Sequence, residues 1–169
     1  ASIADATIDF NENPLKNESL FLICGPTGAG KSTILDAICL ALYGDTPRLS
    51  SAKSDKFAPK DNDDTINLGD PRQLLRLGAT EGYASLSFEG GDGCNYEAKY
   101  AFSISRNNKL QAKKWTLCNT NNNTYYEKDK EIKAMIENVV GLDFDNFKKP
   151  TLLAQGGFTE FLKSDNKTK

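Results

Sequence analysis

Histidine is absent from the 169 residues. Its absence excludes imidazole general bases, serine or cysteine nucleophiles activated by histidine, and histidine-ligated zinc. Cysteine is sparse. Cys24, Cys39, Cys94 and Cys118 stand far apart, with no Cys-x-x-Cys pair to suggest a metal or dithiol site. Cys24 and Cys39 fall in apolar surroundings and are expected as buried, free thiols. Long hydrophobic runs are missing as well: the segment Ala37–Tyr43 is too short to span a bilayer, and no secretory leader is visible. A cytoplasmic protein without membrane contact is the expectation. Nor is there an excess of one charge, since the formal net charge is −2. Whole-molecule electrostatics therefore gives no reason to expect a nucleic-acid partner, and any such contact needs a local basic patch. With 38% hydrophobic and 26% charged residues, positions 1–169 read as one ordinary globular domain.

What the chain does contain is a phosphate-binding motif. Gly25-Pro26-Thr27-Gly28-Ala29-Gly30-Lys31-Ser32 follows the apolar run Leu20–Cys24 and leads into Thr33-Ile34-Leu35-Asp36-Ala37-Ile38. A buried strand, a glycine-rich turn and a helix are thus expected in the order such a loop requires. The glycines let successive N–H groups turn inward toward an anion, and the helix beginning near Lys31 adds partial positive charge there. Lys31 can reach the β- and γ-phosphates of a nucleoside triphosphate, and the Ser32 hydroxyl can ligate Mg²⁺. The chain is therefore expected to bind a nucleoside triphosphate with Mg²⁺.

The remaining segments divide by periodicity and punctuation. Ser2–Phe10 reads as a strand, and Ile34–Tyr43 as a buried helix closed by Gly44. Residues 45 to about 80 read as mostly loop, with an acidic run Asp61–Asp64 that is expected to be solvated. Alternation over Tyr83–Glu89, Asn95–Ser105 and Leu110–Cys118 predicts a three-stranded antiparallel meander, followed by a turn at Asn119–Asn123. Glu127–Val140 carries apolar residues at 132, 135, 136, 139 and 140, an amphipathic helix ended by Gly141. A short helix is expected at Asp143–Lys148, stopped by Pro150, with a strand at Thr151–Ala154. Phe158 onward turns helical and charged.

Three segments carry a family resemblance. GPTGAGKSTILDAICLALYGDTPRL (25–49), LRLGATEGYASLSFE (75–89) and GLDFDNFKKPTLLAQGGFTEFLK (141–163) resemble the N-terminal ATPase lobe of the SbcC family, within the SMC-like DNA-repair ATPases. The resemblance implies an α/β P-loop NTPase fold of the ABC/SMC head type, with the meander at about 83–118 and an end just before a coiled coil. It implies that Gly25 to Ser32, with Thr33 at the α-phosphate, bind ATP. It also implies that Gln155 is the Q-loop glutamine, sharing Mg²⁺ with Ser32 and acting with Lys31 in hydrolysis. A signature loop, an acidic metal-holding strand and a catalytic glutamate are not found in this sequence. The resemblance therefore implies an incomplete half-site that binds Mg-ATP but hydrolyses it poorly. The implied partners are a C-terminal lobe with its coiled coil, a second ATPase head, an SbcD-like nuclease and double-stranded DNA ends. Localisation would be cytoplasmic and nucleoid-associated.

Arg106, Lys109, Lys113 and Lys114 put four positive charges and no negative ones in nine residues beside Trp115. Lys113 and Lys114 are candidate DNA-backbone contacts, weighed against a plain solvated hairpin face. Rival readings stay open at this level. A small-molecule kinase would share the loop, but the four arginines, Arg48, Arg72, Arg76 and Arg106, form no obvious lid. A transporter-type ATP-binding domain has a shorter stretch between loop and Q-loop. A docking module that has lost its nucleotide is opposed by the intact Lys31-Ser32 pair.

Overall fold

The computed structural model describes residues 5–16, 18, 20, 22–54, 71–107 and 109–154. The phosphate-loop helix comes first, α1 at Lys31–Tyr43. Its C-terminal half, Cys39 to Tyr43, is buried, as an all-round apolar surface requires. It ends where Gly44 turns left-handed (φ 66°) and donates its N–H to the Leu40 carbonyl, 3.0 Å.

A four-stranded antiparallel sheet follows in the order β1-β2-β3-β4. The strands are β1 (Glu81–Glu89), β2 (Asn95–Ser103), β3 (Lys114–Asn119) and β4 (Thr124–Tyr126). Register runs from Glu81↔Ser103 to Glu89↔Asn95, and from Tyr96↔Asn119 to Ala101↔Lys114. Alternation then places Ala84, Tyr96, Ala98, Tyr100, Phe102, Trp115 and Leu117 on one buried face. That face packs against Leu40–Tyr43 of α1 and against Ile132, Ile136 and Val139 of α3 (Asp129–Val140). The α/β head-lobe class expected from the sequence is the one observed.

Trp115 joins the two layers. Its indole N–H donates to the Ala41 carbonyl at 2.9 Å. Ala41 lies in the last turn of α1, where carbonyls have no intrahelical donor, so the sheet supplies one. Tyr43 makes a second link: its hydroxyl donates to the Leu142 carbonyl, 3.0 Å, and its ring meets Phe144 and Phe147 of α4 (Phe144–Ala154).

Several expectations need correction. No strand forms at residues 5–10 or at 20 and 22–24, and Leu20 and Leu22 are 88% and 85% exposed. A strand needs a hydrogen-bonded neighbour, and the described sheet includes neither segment. Cys24 is accordingly exposed, whereas Cys39 is buried as expected.

The loop expected from residue 45 onward instead begins with α2 (Pro47–Ser54). Buried Thr46 accepts the Leu49 N–H on its hydroxyl, 3.2 Å, and Pro47 takes the first helical position. Threonine then proline is a helix-start signal, legible in retrospect. A short 3₁₀ turn occupies Pro71–Leu74; the acidic run Asp61–Asp64 lies outside the described residues.

The third strand begins at Lys114 rather than Leu110. Ala101 pairs with Lys114 but Ile104 pairs with Leu110, so one extra residue on the second side interrupts the ladder as a bulge does. The fourth strand was not expected; Leu117↔Tyr126 to Asn119↔Thr124 extend the sheet beyond the Asn119–Asn123 turn.

The helix after Asp143 continues across Pro150 to Ala154, replacing the expected strand. Asp143 caps it, accepting the Asn146 N–H at 2.7 Å. Proline in a helix interior costs about 3 kcal/mol. Packing of Phe144 and Phe147 on Tyr43 opposes that cost, and no described strand lies beside residues 151–154 to pair with them.

Gly44 and Gly141 test how much the sheet leans on α1. Both end helices at positive φ, 66° and 77°. A Cβ on Gly44 would meet the Trp115 ring at 3.2 Å, whereas one on Gly141 meets nothing within 4 Å. Gly141→Ala is expected to lose about 1 kcal/mol from backbone strain alone, and Gly44→Ala to lose roughly 1 kcal/mol more. Denaturant unfolding followed by circular dichroism measures both.

Candidate nucleotide-binding site

Residues 22–30 have no regular structure and lie mostly exposed ahead of α1. Gly28 and Gly30 adopt φ of 84° and 91°, a region that side chains with a Cβ enter at a cost. The turn closes on itself through the Ala29 N–H, which donates to the Pro26 carbonyl, 3.2 Å. Gly30 then starts α1, its carbonyl accepting from the Thr33 N–H at 3.0 Å and the Ile34 N–H at 3.4 Å. No side chain caps this end, and no acidic residue stands in the first turn. The first N–H groups of the helix and its dipole therefore keep their affinity for an external anion.

Lys31 is folded back over the loop. Its Nζ donates to the Gly25 carbonyl at 2.8 Å and to the Pro26 carbonyl at 2.9 Å. The ammonium thus sits over the loop mouth, held by two acceptors that an incoming phosphate can replace. Ser32 is exposed, and Thr33 is half-buried on the first turn. The loop residues Gly25 to Thr33 are together; Gln155 lies outside the described residues.

Behind the loop is a pair that no sequence pattern announced. Asp36, on α1 and only 7% exposed, accepts a hydrogen bond from the half-exposed Arg48 guanidinium of α2. Burial pushes the Asp36 carboxyl above the usual carboxylate range, and the Arg48 charge and hydrogen bond oppose that rise without cancelling it. The neighbouring Cys39 thiol is pushed up to about 12 by burial, with Asp36 and Asp45 adding to the effect. It is inert at neutral pH. The twelve-residue separation of Asp36 and Arg48 left no signal apart from the Thr46-Pro47 helix start.

The basic hairpin is less open than its sequence suggested. Lys113 Nζ pairs with Asp129 Oδ2 at 2.6 Å and lies 5.8 Å and 5.5 Å from the Tyr100 and Trp115 ring centres. With Lys114, Thr116, Glu127 and Asp129 it borders a cleft of about 230 Å³. Two lysines there face two carboxylates, so the cleft is not an unopposed cationic surface. Among the described residues no group of His, Cys, Asp or Glu side chains is placed to hold a metal ion. No helix among them is long and apolar enough to cross a membrane.

The AAA domain family matches over residues 1–169. The chain belongs to the AAA domain family. Curated relatives agree. The SbcC component of the SbcCD nuclease from Pseudomonas aeruginosa is 43% identical over 98% of this chain, and that of Rhodobacter capsulatus is 40% identical over 94%. A probable DNA double-strand break repair Rad50 ATPase of Aquifex aeolicus is 31% identical over 96%. This AAA domain spans only 14%, 13% and 14% of the lengths of these three relatives. The likeness to SbcC-type ATPases seen in the three motif segments thus extends across almost all of this chain.

Removing Arg48 leaves Asp36 buried without its cation. Arg48→Ala is expected to destabilise the domain by about 1–2 kcal/mol at neutral pH, the low side for a buried pair because Arg48 is half exposed. Loss of the cation raises the folded-state pKa of Asp36 further above its unfolded value. The deficit is therefore full above that raised value and disappears as pH falls through it toward the unfolded carboxylate value. Thermal unfolding of both proteins across pH 4 to 8, a window set around the ordinary carboxylate range, checks the sign.

Proposed function

We propose that the domain is the ATP-binding half of an SMC/SbcC-like DNA double-strand-break repair ATPase, one that gates a partner nuclease acting on DNA ends. The observation that carries this reading is the Gly25–Ser32 loop opening an uncapped helix, with Lys31 poised over its mouth. Its relatives' names, which include a nuclease component and a repair ATPase, supply the setting.

The residues fit Mg-ATP. Uncapped N–H groups and a lysine suit a triphosphate, and the Ser32 hydroxyl with the Gln155 amide are the hard oxygen donors that magnesium takes. A magnesium ion held by Ser32 and Gln155 would supply charge neutralisation at the β/γ end of the nucleotide. The Gly25–Gly30 backbone cradles the phosphates, and Thr33 borders the α-phosphate. Lys31 releases the Gly25 and Pro26 carbonyls and turns its ammonium to the β- and γ-oxygens, stabilising the negative charge there. Gln155 orients water at the γ-phosphate and senses its loss.

Hydrolysis by this segment alone is poor, because the residues that complete the site come from a C-terminal lobe and from a second head in a dimer. The exposed Leu20, Leu22 and Ile23 beside the loop support a covering lobe, since neighbouring apolar side chains left open to water gain by burial against a partner surface. An SbcD-like nuclease and double-stranded DNA ends complete the partners, with Lys114 a better candidate for a backbone contact than Lys113, whose ammonium is paired with Asp129. The setting is cytoplasmic and close to the nucleoid.

Titration with Mg-ATP tests the core of this reading. The chain is expected to bind, and Lys31→Ala to bind at least about tenfold more weakly, a loss typical of a charged hydrogen bond. Absence of binding at millimolar nucleotide would return the loop to a docking role.

A further inference from the structure

Lys113 stands where the basic hairpin enters β3, and its charge is already answered from another element. Its Nζ donates to Oδ2 of Asp129, sixteen positions further on and the first residue of α3, at 2.6 Å. The two side chains are 41% and 51% exposed, so the pair lies at the surface, within reach of a partner. Lys114 differs. It is exposed and forms no ion pair with another described residue.

The pair masks charge rather than donors. An ammonium has three N–H groups, and one carboxylate leaves some of them unused. A phosphate that took them stands only about two hydrogen-bond lengths, roughly 5–6 Å, from the Asp129 carboxylate. Repulsion at that range offsets most of the attraction to Lys113. Lifting the mask does not release the lysine into solvent. The buried Tyr100 and Trp115 rings, 5.8 Å and 5.5 Å from Nζ, attract the cation as well. They keep it at the mouth of the cleft that Lys114 also lines. An exposed ion pair adds little to folding, so the mask can be removed without unfolding the domain.

We propose that Asp129 is an electrostatic mask over the basic hairpin, one that holds this surface to a single-lysine contact with a nucleic-acid backbone. Neutralising it turns one unopposed cation, Lys114, into two. This rests on the reading of double-stranded DNA ends as a partner.

The test is titration of the 169-residue chain with a mixed-sequence DNA duplex over a salt series. Asp129→Asn keeps the shape of the side chain and a residue suited to a helix start. It is expected to bind at least about threefold more tightly at low salt. Its plot of log affinity against log salt is expected to steepen by about 0.9, the mark of one more neutralised phosphate. Adding Lys113→Ala to Asp129→Asn is expected to abolish that gain. In the parent, Lys113→Ala is expected to leave the slope unchanged, whereas Lys114→Ala flattens it by about 0.9. Glu137→Gln removes the same charge from the far end of α3 and is expected to leave the slope as it is.

Three results overturn the proposal: no gain in Asp129→Asn, an equal gain in Glu137→Gln, or equal losses from Lys113→Ala and Lys114→Ala in the parent. The first leaves Lys113 without a mask, the second assigns the effect to net charge, and the third shows Lys113 already in use. If neither the parent nor Asp129→Asn binds duplex at the lowest salt, the hairpin contact itself is wrong and the mask falls with it. If the parent binds and weakens in Lys114→Ala, but Asp129→Asn gains nothing, the DNA contact holds and only the role of Asp129 is wrong.

Discussion

The rest of the domain depends on how α1 is held at its two ends. Its first turn is open, with no side chain on its N–H groups; its last turns are buried, which gives the loop a rigid base. Gly30 and Gly44, both at positive φ, bound the helix without adding a side chain at either end. Between them the surface changes from half-exposed or exposed at Lys31–Leu35 to buried at Cys39–Tyr43. Burial of that second half against the sheet is the main source of order, because an isolated helix of this length is marginal in water.

The sheet is built to receive it. Alternation along β1, β2 and β3 turns aromatic and small residues inward, with Ala84 and Ala98 leaving room and Tyr96, Tyr100 and Trp115 filling it. Trp115 adds direction to this contact, since its single N–H fits one carbonyl of α1. Lys113 then lies over the outer aromatic edge and pairs with Asp129 at the start of α3. The cation that reads in sequence as free to meet DNA is therefore partly engaged in joining a strand to a helix.

Charge around α1 is similarly divided by position. At the loop, the partners of Lys31 among the described residues are two backbone carbonyls, which are neutral. One turn deeper, Arg48 has a buried carboxylate, which holds it much more firmly. The same helix thus carries one cation on neutral carbonyls at its open end and has another on a carboxylate at its packed side, and the difference comes from the acceptor each one meets.

The sequence by itself determined those elements whose information is local. The glycine spacing of residues 25–30, the apolar run of α1, the alternation of β1 and β2, and the 3.6-residue period of α3 each concern side chains close in the chain. These elements appear where periodicity places them. Tertiary structure decided whatever needed a distant partner. Leu20–Cys24 has the composition of a strand and lies outside the described sheet, while Thr124–Tyr126 is too short to read as a strand and becomes one by pairing with β3. Residues 151–154 remain helical beyond a proline. Arg48 finds Asp36, and Trp115 finds Ala41 across 74 positions. The physical reason is the same in each case. A helix satisfies its hydrogen bonds within itself, whereas strands, buried charges and capping donors depend on groups that only the folded chain brings near.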